Sequence, residues 1–384
     1  MAMRNVMYPN FVDIEFNPSK LLTVGIELEI QLIDSQTKEL IPGAPKLLQK
    51  LYPDKAFKAE LFQAMLEINS EVEERINPIE TSLKEKIKFA REKAKHFNLE
   101  LLLNGTHPTT DWHDQKITQN ERYLRLVERI QWLVKRFTIF GLHVHVGIDD
   151  ADKTIQIMNH LLYYIPHLIA VSASSPFWNN ELTGLASTRK KIFDALPNAG
   201  LPPYLKNWKE FEILANQLLR SNSIDSIRDI WWDIRPHYKY GTLEVRVCDA
   251  MPTLRENIAV AAFIHTLVAY IHKNLDSAVL PPMLPTWILA ENKWRATRYG
   301  ADAYIIVDHY GTSQPLRVNV QKLLRILQPT ARDLGYESYM GFLEKVLLKG
   351  VSYQRQLNVY QKNKNMEDVM AHLLEEFETN SPIF

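Results

Sequence analysis

The sequence predicts an α+β fold: an open, largely antiparallel sheet, cradle-like, with helices packed on its outer face. Two observations predict it. Four short segments alternate at period two, and each places aliphatic side chains on one face and polar, chemically able ones on the other. Between them run helical patterns with a single apolar stripe, sufficient to cover the aliphatic side and leave the polar side as a working surface.

In the first segment Val24, Ile26, Leu28, Ile30 and Leu32 oppose Gly25, Glu27, Glu29 and Gln31. In the second, Leu66 and Ile68 oppose Met65, Glu67 and Asn69. The third sets Leu142, Val144, Val146 and Ile148 against Gly141, His143, His145 and Gly147, and the fourth sets Leu243, Val245 and Val247 against Glu244, Arg246 and Cys248. A helix is expected over 78–97, with Asn77 as its cap and Pro78 in its first turn. Others are expected near 121–137, 153–172, 208–220, 255–274, 318–327 and 367–377. Two stretches, 176–207 and 276–285, show no clear period, and long irregular stretches of that kind often act as lids.

Composition narrows the function. Hydrophobic residues make up 46% of the 384, enough for a sizeable core, and the length leaves the number of domains open. Lys+Arg and Asp+Glu are both 45, so no whole-chain field favours nucleic acid or an anionic membrane. Cys248 stands alone, which excludes an internal disulfide and reads as a quiet buried thiol. With no charged-then-apolar leader over 1–10, a cytoplasmic protein is expected. The apolar run at 258–271 falls short of the roughly 20 residues that span a bilayer and is expected as a core helix.

The polar faces carry the chemistry. Glu27 and Glu29, two apart on a strand, project from one face with origins about 6.6 Å apart. An isolated E-x-E is more often the wet side of an exposed strand, but here further acids and two histidines would share the surface, and such carboxylates repel unless cations are bound. The His143-Val144-His145 pair could hold a transition metal or be two satisfied core histidines. Oxygen donors dominate the wider set of Glu27, Glu29, Glu60, Glu67 and Glu244, which favours Mg²⁺ or Mn²⁺ over Zn²⁺, and ATP as the partner of that metal. Arg246, two residues from Glu244, and Arg235, in Trp231-Trp232-Asp233-Ile234-Arg235-Pro236, could grip phosphate or carboxylate, or merely form surface ion pairs. Arg189 falls in the expected lid. The sequence has no Walker-type loop, dinucleotide G-x-G-x-x-G or G-x-S-x-G elbow, so covalent catalysis by the protein is not expected.

Eight motifs in order sharpen the picture: T-V-G-I-E-L-E at 23–29, M-L-E-I-N at 65–69, N-G-T-H-P at 104–108, N-E-R-Y at 120–123, G-L-H-V-H-V-G at 141–147, W-D-I-R-P at 232–236, G-T-L-E-V-R-V at 241–247 and R-A-T-R-Y-G at 295–300. The chain resembles the type 2 glutamate–cysteine ligases, specifically the bacterial YbdK-type carboxylate–amine ligases. The resemblance covers about 23–300 and thins over 301–384. It implies a glutamine synthetase-like catalytic domain spanning 1–384, a cradle or funnel of antiparallel strands. It implies metal-binding positions at Glu27, Glu29, Glu60, Glu67, His143 and Glu244, with Glu60 in the loosest match. Arg246, Arg235 and Arg189 are then catalytic candidates. Arg246, Arg235, Arg298 of the last motif and His145, lining the cleft, are candidates for contacting the nucleotide.

The activity so implied is an ATP- and Mg²⁺-dependent ligase, with Mn²⁺ an alternative, that joins a glutamate-like carboxylate to a cysteine-like amine through an acyl phosphate, with weak glutamate–cysteine ligase activity. A homodimer is expected from the resemblance and the prevalence of twofold assemblies. Three alternatives stay open. A zinc amidohydrolase is motivated by H-V-H, a guanidino-kinase-like phosphotransferase shares the broader fold, and a silent relative would bind nucleotide without turning it over.

Overall fold

The computed structural model describes residues 12–384; the expected lack of a leader at 1–10 lies outside them. Its frame is one seven-stranded sheet of β1 (Val24–Asp34), β2 (Phe57–Ala59), β3 (Met65–Asn69), β4 (Leu99–Leu102), β5 (Gly141–Gly147), β6 (Ile234–His237) and β7 (Thr242–Asp249). The strand order is β6-β7-β5-β1-β3-β2 with β4 also paired to β1, and each ladder is antiparallel. The alternation in the sequence is what fixes this register. Leu28, Ile30, Leu66, Val144, Val146, Leu243 and Val245 are fully buried on one face, and a slip by one residue would exchange them for carboxylates.

Most of the helices cover the aliphatic face. In chain order they are α1 (Ala44–Leu51), α2 (Ile76–Ala94), α3 (Glu121–Ile130), α4 (Ala151–Leu161), α5 (Ile165–Ser172), α6 (Thr188–Phe193), α7 (Trp208–Arg220) and α8 (Leu254–Lys273). Two of them, α3 and α6, stand at the rim of the polar face. The C-terminal part adds α9 (Thr286–Tyr299), α10 (Leu316–Leu334), α11 (Glu337–Lys349), α12 (Ser352–Asn363) and α13 (Met366–Thr379). The central one is α8, which packs on β5, α2, α4, α10 and α11. It is capped by Thr253, whose hydroxyl accepts from the Glu256 amide at 3.0 Å. Although long and apolar enough to cross a membrane, α8 is buried almost throughout, as expected of a core helix.

Several boundaries moved, each for a local reason. Helix α2 begins at Ile76, so Asn77 lies inside its first turn and does not cap it. The pattern over 121–137 breaks at Gln131, which takes φ +58° and ends α3. The pattern over 153–172 splits into α4 and α5 around a 3₁₀ turn at Leu162–Tyr164, because Pro166 has no amide hydrogen to continue the ladder. The stretch 176–207, expected to be an irregular lid, contains short strands at Phe177–Trp178 and Glu181–Leu182 and the helix α6.

The largest correction concerns β7. Val245 pairs with Val144 but Cys248 pairs with Leu142, so two residues, Arg246 and Val247, face His143 alone. This bulge reverses the alternation beyond it. Cys248 turns to the helix-covered face, where burial pushes its thiol up to about 12, and Asp249 turns inward instead. The thiol is quiet, as read from sequence, but not on the polar face.

The helices beyond residue 300 are tied to the core by a buried ion cluster. Arg355 on α12 donates from Nε to Glu376 of α13 at 2.6 Å and from Nη2 to Glu256 of α8 at 2.9 Å, with all three side chains 3% exposed or less. Removing one partner of such a cluster leaves buried charge without compensation. Arg355→Met is therefore expected to lower stability by about 3–5 kcal/mol at neutral pH in urea unfolding. Burial, countered by Arg355, already holds the Glu256 carboxyl above its ordinary value. Without the arginine it rises further, and proton uptake by the folded variant should narrow the deficit as pH falls towards 5. A deficit of the same size at both pH values would contradict this assignment.

Candidate active site

Strand register builds the floor of the site. Glu27 and Glu29 leave the same face of β1, Glu27 opposite His143 on β5 and Glu29 opposite Glu67 on β3. Two residues along β5, His145 lies opposite Glu244 of β7, and Glu244 lies opposite Arg235 of β6. This floor opens into a cavity of about 470 Å³ whose lining includes Glu27, Glu29, Glu60, Glu67 and His143 with Arg189, Arg235 and Arg246. Its rim is closed by α3, α6 and the turn at Ile227–Asp229, which Arg129 of α3 holds through Asp225 and Asp229 at 3.2 and 3.1 Å.

The acids form two poles. At the first, Glu29, Glu60 and Glu67 converge beside Tyr123, whose hydroxyl lies 3.4 Å from Glu60 Oε2, and Lys58, whose ammonium lies 3.2 Å from Glu67 Oε1. Burial, then the charges of Glu67 and Glu29, push the Glu60 carboxyl well above its ordinary value. It therefore holds its proton to higher pH than a free carboxyl, and a cation at this pole would oppose that shift. At the second pole, ligand atoms of Glu27, His145 and Glu244 lie within 4.8 Å of one another. Burial opposes ionisation of Glu27, but His145 and His143 outweigh it and hold the carboxyl well below its usual range. Burial would likewise depress His145, yet Glu244 and Glu27 keep it above its ordinary value.

Glu244 itself is 1% exposed and stands behind the cavity wall. Its Oε2 accepts from Arg235 Nε and Nη2 at 2.9 and 2.7 Å, and its Oε1 pairs with Arg246. Burial pushes this carboxyl up, and the two guanidiniums overcome it and hold it low. Nε2 of both His143 and His145 lacks a hydrogen-bond partner. Clustered carboxylate oxygens, the raised Glu60 carboxyl and imidazole nitrogens without a hydrogen bond, 3.9 Å from Glu29 and 3.4 Å from Glu27, together fit a divalent cation with mainly oxygen ligands, Mg²⁺ or Mn²⁺.

The model of the glutamate-cysteine ligase family 2 matches residues 23–374. The chain belongs to that family. It is 41% identical over 375 residues to a protein of Thermobifida fusca provisionally named glutamate–cysteine ligase 2, covering 96% of this chain and 94% of that one. A Bdellovibrio bacteriovorus protein with the same provisional name is 39% identical over 366 residues, covering 95% and 97%. Among solved structures, a glutamate–cysteine ligase of Francisella tularensis in complex with AMP superposes with a TM-score of 0.68 at 12% identity, over 95% of this chain and 90% of that one. A bifunctional glutathione synthetase of Pasteurella multocida superposes at 0.65 and 11% identity, over 93% of this chain and 52% of that one. At that identity these two structures share the fold, an antiparallel sheet with helices on one side.

Within this family member the expected site residues divide. Glu27, Glu29, Glu60, Glu67, His143, Arg189, Arg235 and Arg246 come together on the cavity. Both histidines stand among the floor carboxylates: His143 lines the cavity and bridges Glu27 at 3.3 Å and Glu29 at 3.9 Å, while His145, expected to line the cleft, joins Glu27 and Glu244 and is not in the cavity lining. Arg298 does not line the cavity; it lies over the exposed ring of Tyr299 on α9. Arg189, expected in a lid, is instead buried: it is the second residue of α6, is 2% exposed and reaches over Gly141, where a Cβ would collide with its guanidinium.

Two groups were invisible in the sequence. Asp249, turned inward by the bulge, accepts from the Ser174 amide and from the hydroxyls of Ser175 and Ser187 at 2.9, 2.7 and 2.8 Å. Asp233 sits in a buried quartet in which Lys190 and Lys293 each lie within 2.5–2.8 Å of Asp194 and Asp233. Its backbone carbonyl accepts from the Arg246 amide at 2.8 Å and so fixes the bulge. The W-D-I-R-P motif hinted at Asp233 only through its neighbour Arg235.

Because the Glu60 carboxyl holds its proton to higher pH than usual and a bound cation would displace it, adding Mn²⁺ to weakly buffered protein at mildly acidic pH should release protons. Glu60→Gln should abolish most of that release while far-ultraviolet dichroism stays unchanged. Equal release from both proteins would place the proton elsewhere.

Proposed function

We propose that this chain is an ATP-dependent carboxylate–amine ligase, with the whole chain acting as a single cytoplasmic catalytic unit. The observation that carries the reading is the pairing of two acidic poles with arginines on one concave sheet face. In the proposed reaction an oxygen of the donor carboxylate attacks the γ-phosphorus of ATP, the bond to the bridging oxygen breaks, and ADP leaves. The amine nitrogen then attacks the acyl carbon, the bond to the phosphate oxygen breaks, and the amide nitrogen loses a proton.

Divalent cations held at the poles would screen the charge between the two anions and bind phosphate oxygens. The chain's own groups do the rest. Glu244 orients Arg235 and Arg246 as a pair and neutralises part of their charge; Arg235 also spends Nη1 on the Arg228 and Ile230 carbonyls at 3.0 and 3.4 Å, so Arg246 is the freer of the two toward the cavity. Such fixed donors stabilise charge moving onto the leaving phosphate at no cost in reorganisation. His143, between Glu27 and Glu29, keeps those carboxylates apart and oriented. A glutamate-like donor and a cysteine-like amine are supported by the names of the relatives. The zinc hydrolase alternative is disfavoured because both histidines pair with Glu27 within a set dominated by carboxylate oxygens, which suits a harder ion than zinc.

The deciding experiment is coupled ADP and phosphate release with Mg²⁺ or Mn²⁺ over a panel of carboxylates and amines. Equimolar ADP and phosphate that require both partners are expected. ADP with a phosphorylated amine and no free phosphate would indicate a kinase, and hydrolysis without ATP an amidohydrolase. Glu27→Gln should lower turnover at least about 100-fold, the scale of one essential electrostatic contact. Undiminished turnover by that variant would remove Glu27 from the site.

A further inference from the structure

The cavity has one wall that neither the acids nor the phosphate-facing arginines explain. Phe137, Ile139, Phe193 and Leu196 line it together, and the Phe137 and Phe193 rings stack with centroids 5.6 Å apart and planes 10° apart. Against this apolar surface stands Arg189, its Cζ 5.8 Å from the Phe193 centroid. Arg246, the other guanidinium near that ring, already holds Glu244. Arg189 does not have such a partner. Its Nε makes no hydrogen bond, its nearest carboxylate is Asp249 at 4.0 Å, and the Asp249 oxygens are engaged by the amide and hydroxyls of three serines. Its two terminal nitrogens reach only the Arg246 carbonyl, each at 3.4 Å.

A buried guanidinium without a close counter-anion is costly unless an anion arrives. Space for that group is made by Gly141, since any side chain there would displace it. A cation short of an anion, set against stacked rings, calls for a ligand with a carboxylate next to a bulky apolar group.

We propose, on the basis of the ligase reading, that Arg189 with Phe137, Ile139, Phe193 and Leu196 forms the acceptor subsite, and that the acceptor is an L-amino acid with a large apolar side chain. Its carboxylate sits on Arg189, its side chain covers the Phe137–Phe193 pair, and its amino group is the nucleophile. The donor fits the wall less well, because its reacting carboxylate belongs at the acidic floor. Cysteine would leave most of the wall uncovered, and each further methylene buried is worth about fourfold in affinity.

The test is calorimetric binding of L-phenylalanine, L-leucine, L-cysteine and phenethylamine to the full chain with Mg²⁺ and a non-hydrolysable ATP analogue. Phenylalanine or leucine should bind at least about tenfold tighter than cysteine, and phenylalanine at least about tenfold tighter than phenethylamine, which lacks the carboxylate. Phe137→Ala, at a partly exposed ring, should weaken phenylalanine about tenfold and the nucleotide analogue less than twofold. Arg189→Lys should erase the advantage of phenylalanine over phenethylamine.

Cysteine binding as tightly as phenylalanine would overturn the proposal. So would loss of nucleotide affinity in Phe137→Ala, since the wall would then serve the base. Coupled ADP release separates the two readings. If phenylalanine binds as described but no donor yields ADP and phosphate, the ligase reading fails and the subsite stands. Release fastest with cysteine and indifferent to Phe137→Ala would leave the ligase and remove the subsite.

Discussion

Like charges gathered on one face of a sheet are the constraint around which this molecule is arranged. Alternation along β1, β3, β5 and β7 commits Glu27, Glu29, Glu67 and Glu244 to the same side as His143 and His145. Carboxylates that close cannot all stay ionised in a buried setting without compensation. The structure resolves the repulsion in two ways. Glu244 is neutralised by Arg235 and Arg246, whereas Glu29, Glu60 and Glu67 are left with Lys58 and an upward shift of the Glu60 carboxyl. The under-compensated pole has the greater capacity for a cation.

The surroundings keep that face in shape. Asp233, Asp194, Lys190 and Lys293 lock α6 and α9 to the segment leading into β6, and the Asp233 carbonyl holds the β7 bulge. On the far side Gln356 of α12 donates to Asn104 at 3.0 Å, so the C-terminal helices reach the N-G-T-H-P segment and brace the cradle from behind. Buried ion clusters of this kind add little net stability compared with apolar packing. Here they hold two helices and a bulge in fixed relation to the cavity.

Much of the floor was legible in the sequence because a strand period of two is a strong signal and each polar residue on it was chemically able. Glu27, Glu29, Glu67, His143, His145 and Glu244 fall where alternation puts them. Legibility failed where one local event changed the phase: the bulge at Arg246 and Val247 sends Cys248 outward and brings Asp249 in, and no composition cue marks it. It failed again at Arg189, because a six-residue helix within a Gly- and Pro-containing stretch is too short to show a period. The choice between His143 and His145 needed Glu244, a partner far off in sequence, and the eventual wall of Phe137 and Phe193 needed the fold itself. Helices α9 and α12 were missed, since much of their burial is polar or aromatic and blurs the apolar stripe; α11 was missed although Met340, Leu343, Val346 and Leu347 form one.

The most direct test of the account is an anomalous-scattering crystal structure with Mn²⁺ and a non-hydrolysable ATP analogue. The account predicts manganese peaks at both acidic poles, one among Glu29, Glu60 and Glu67 and one beside Glu27 and His145, each touching the phosphate chain. A nucleotide bound away from this face, or saturating Mn²⁺ that leaves both poles without anomalous signal, would contradict it.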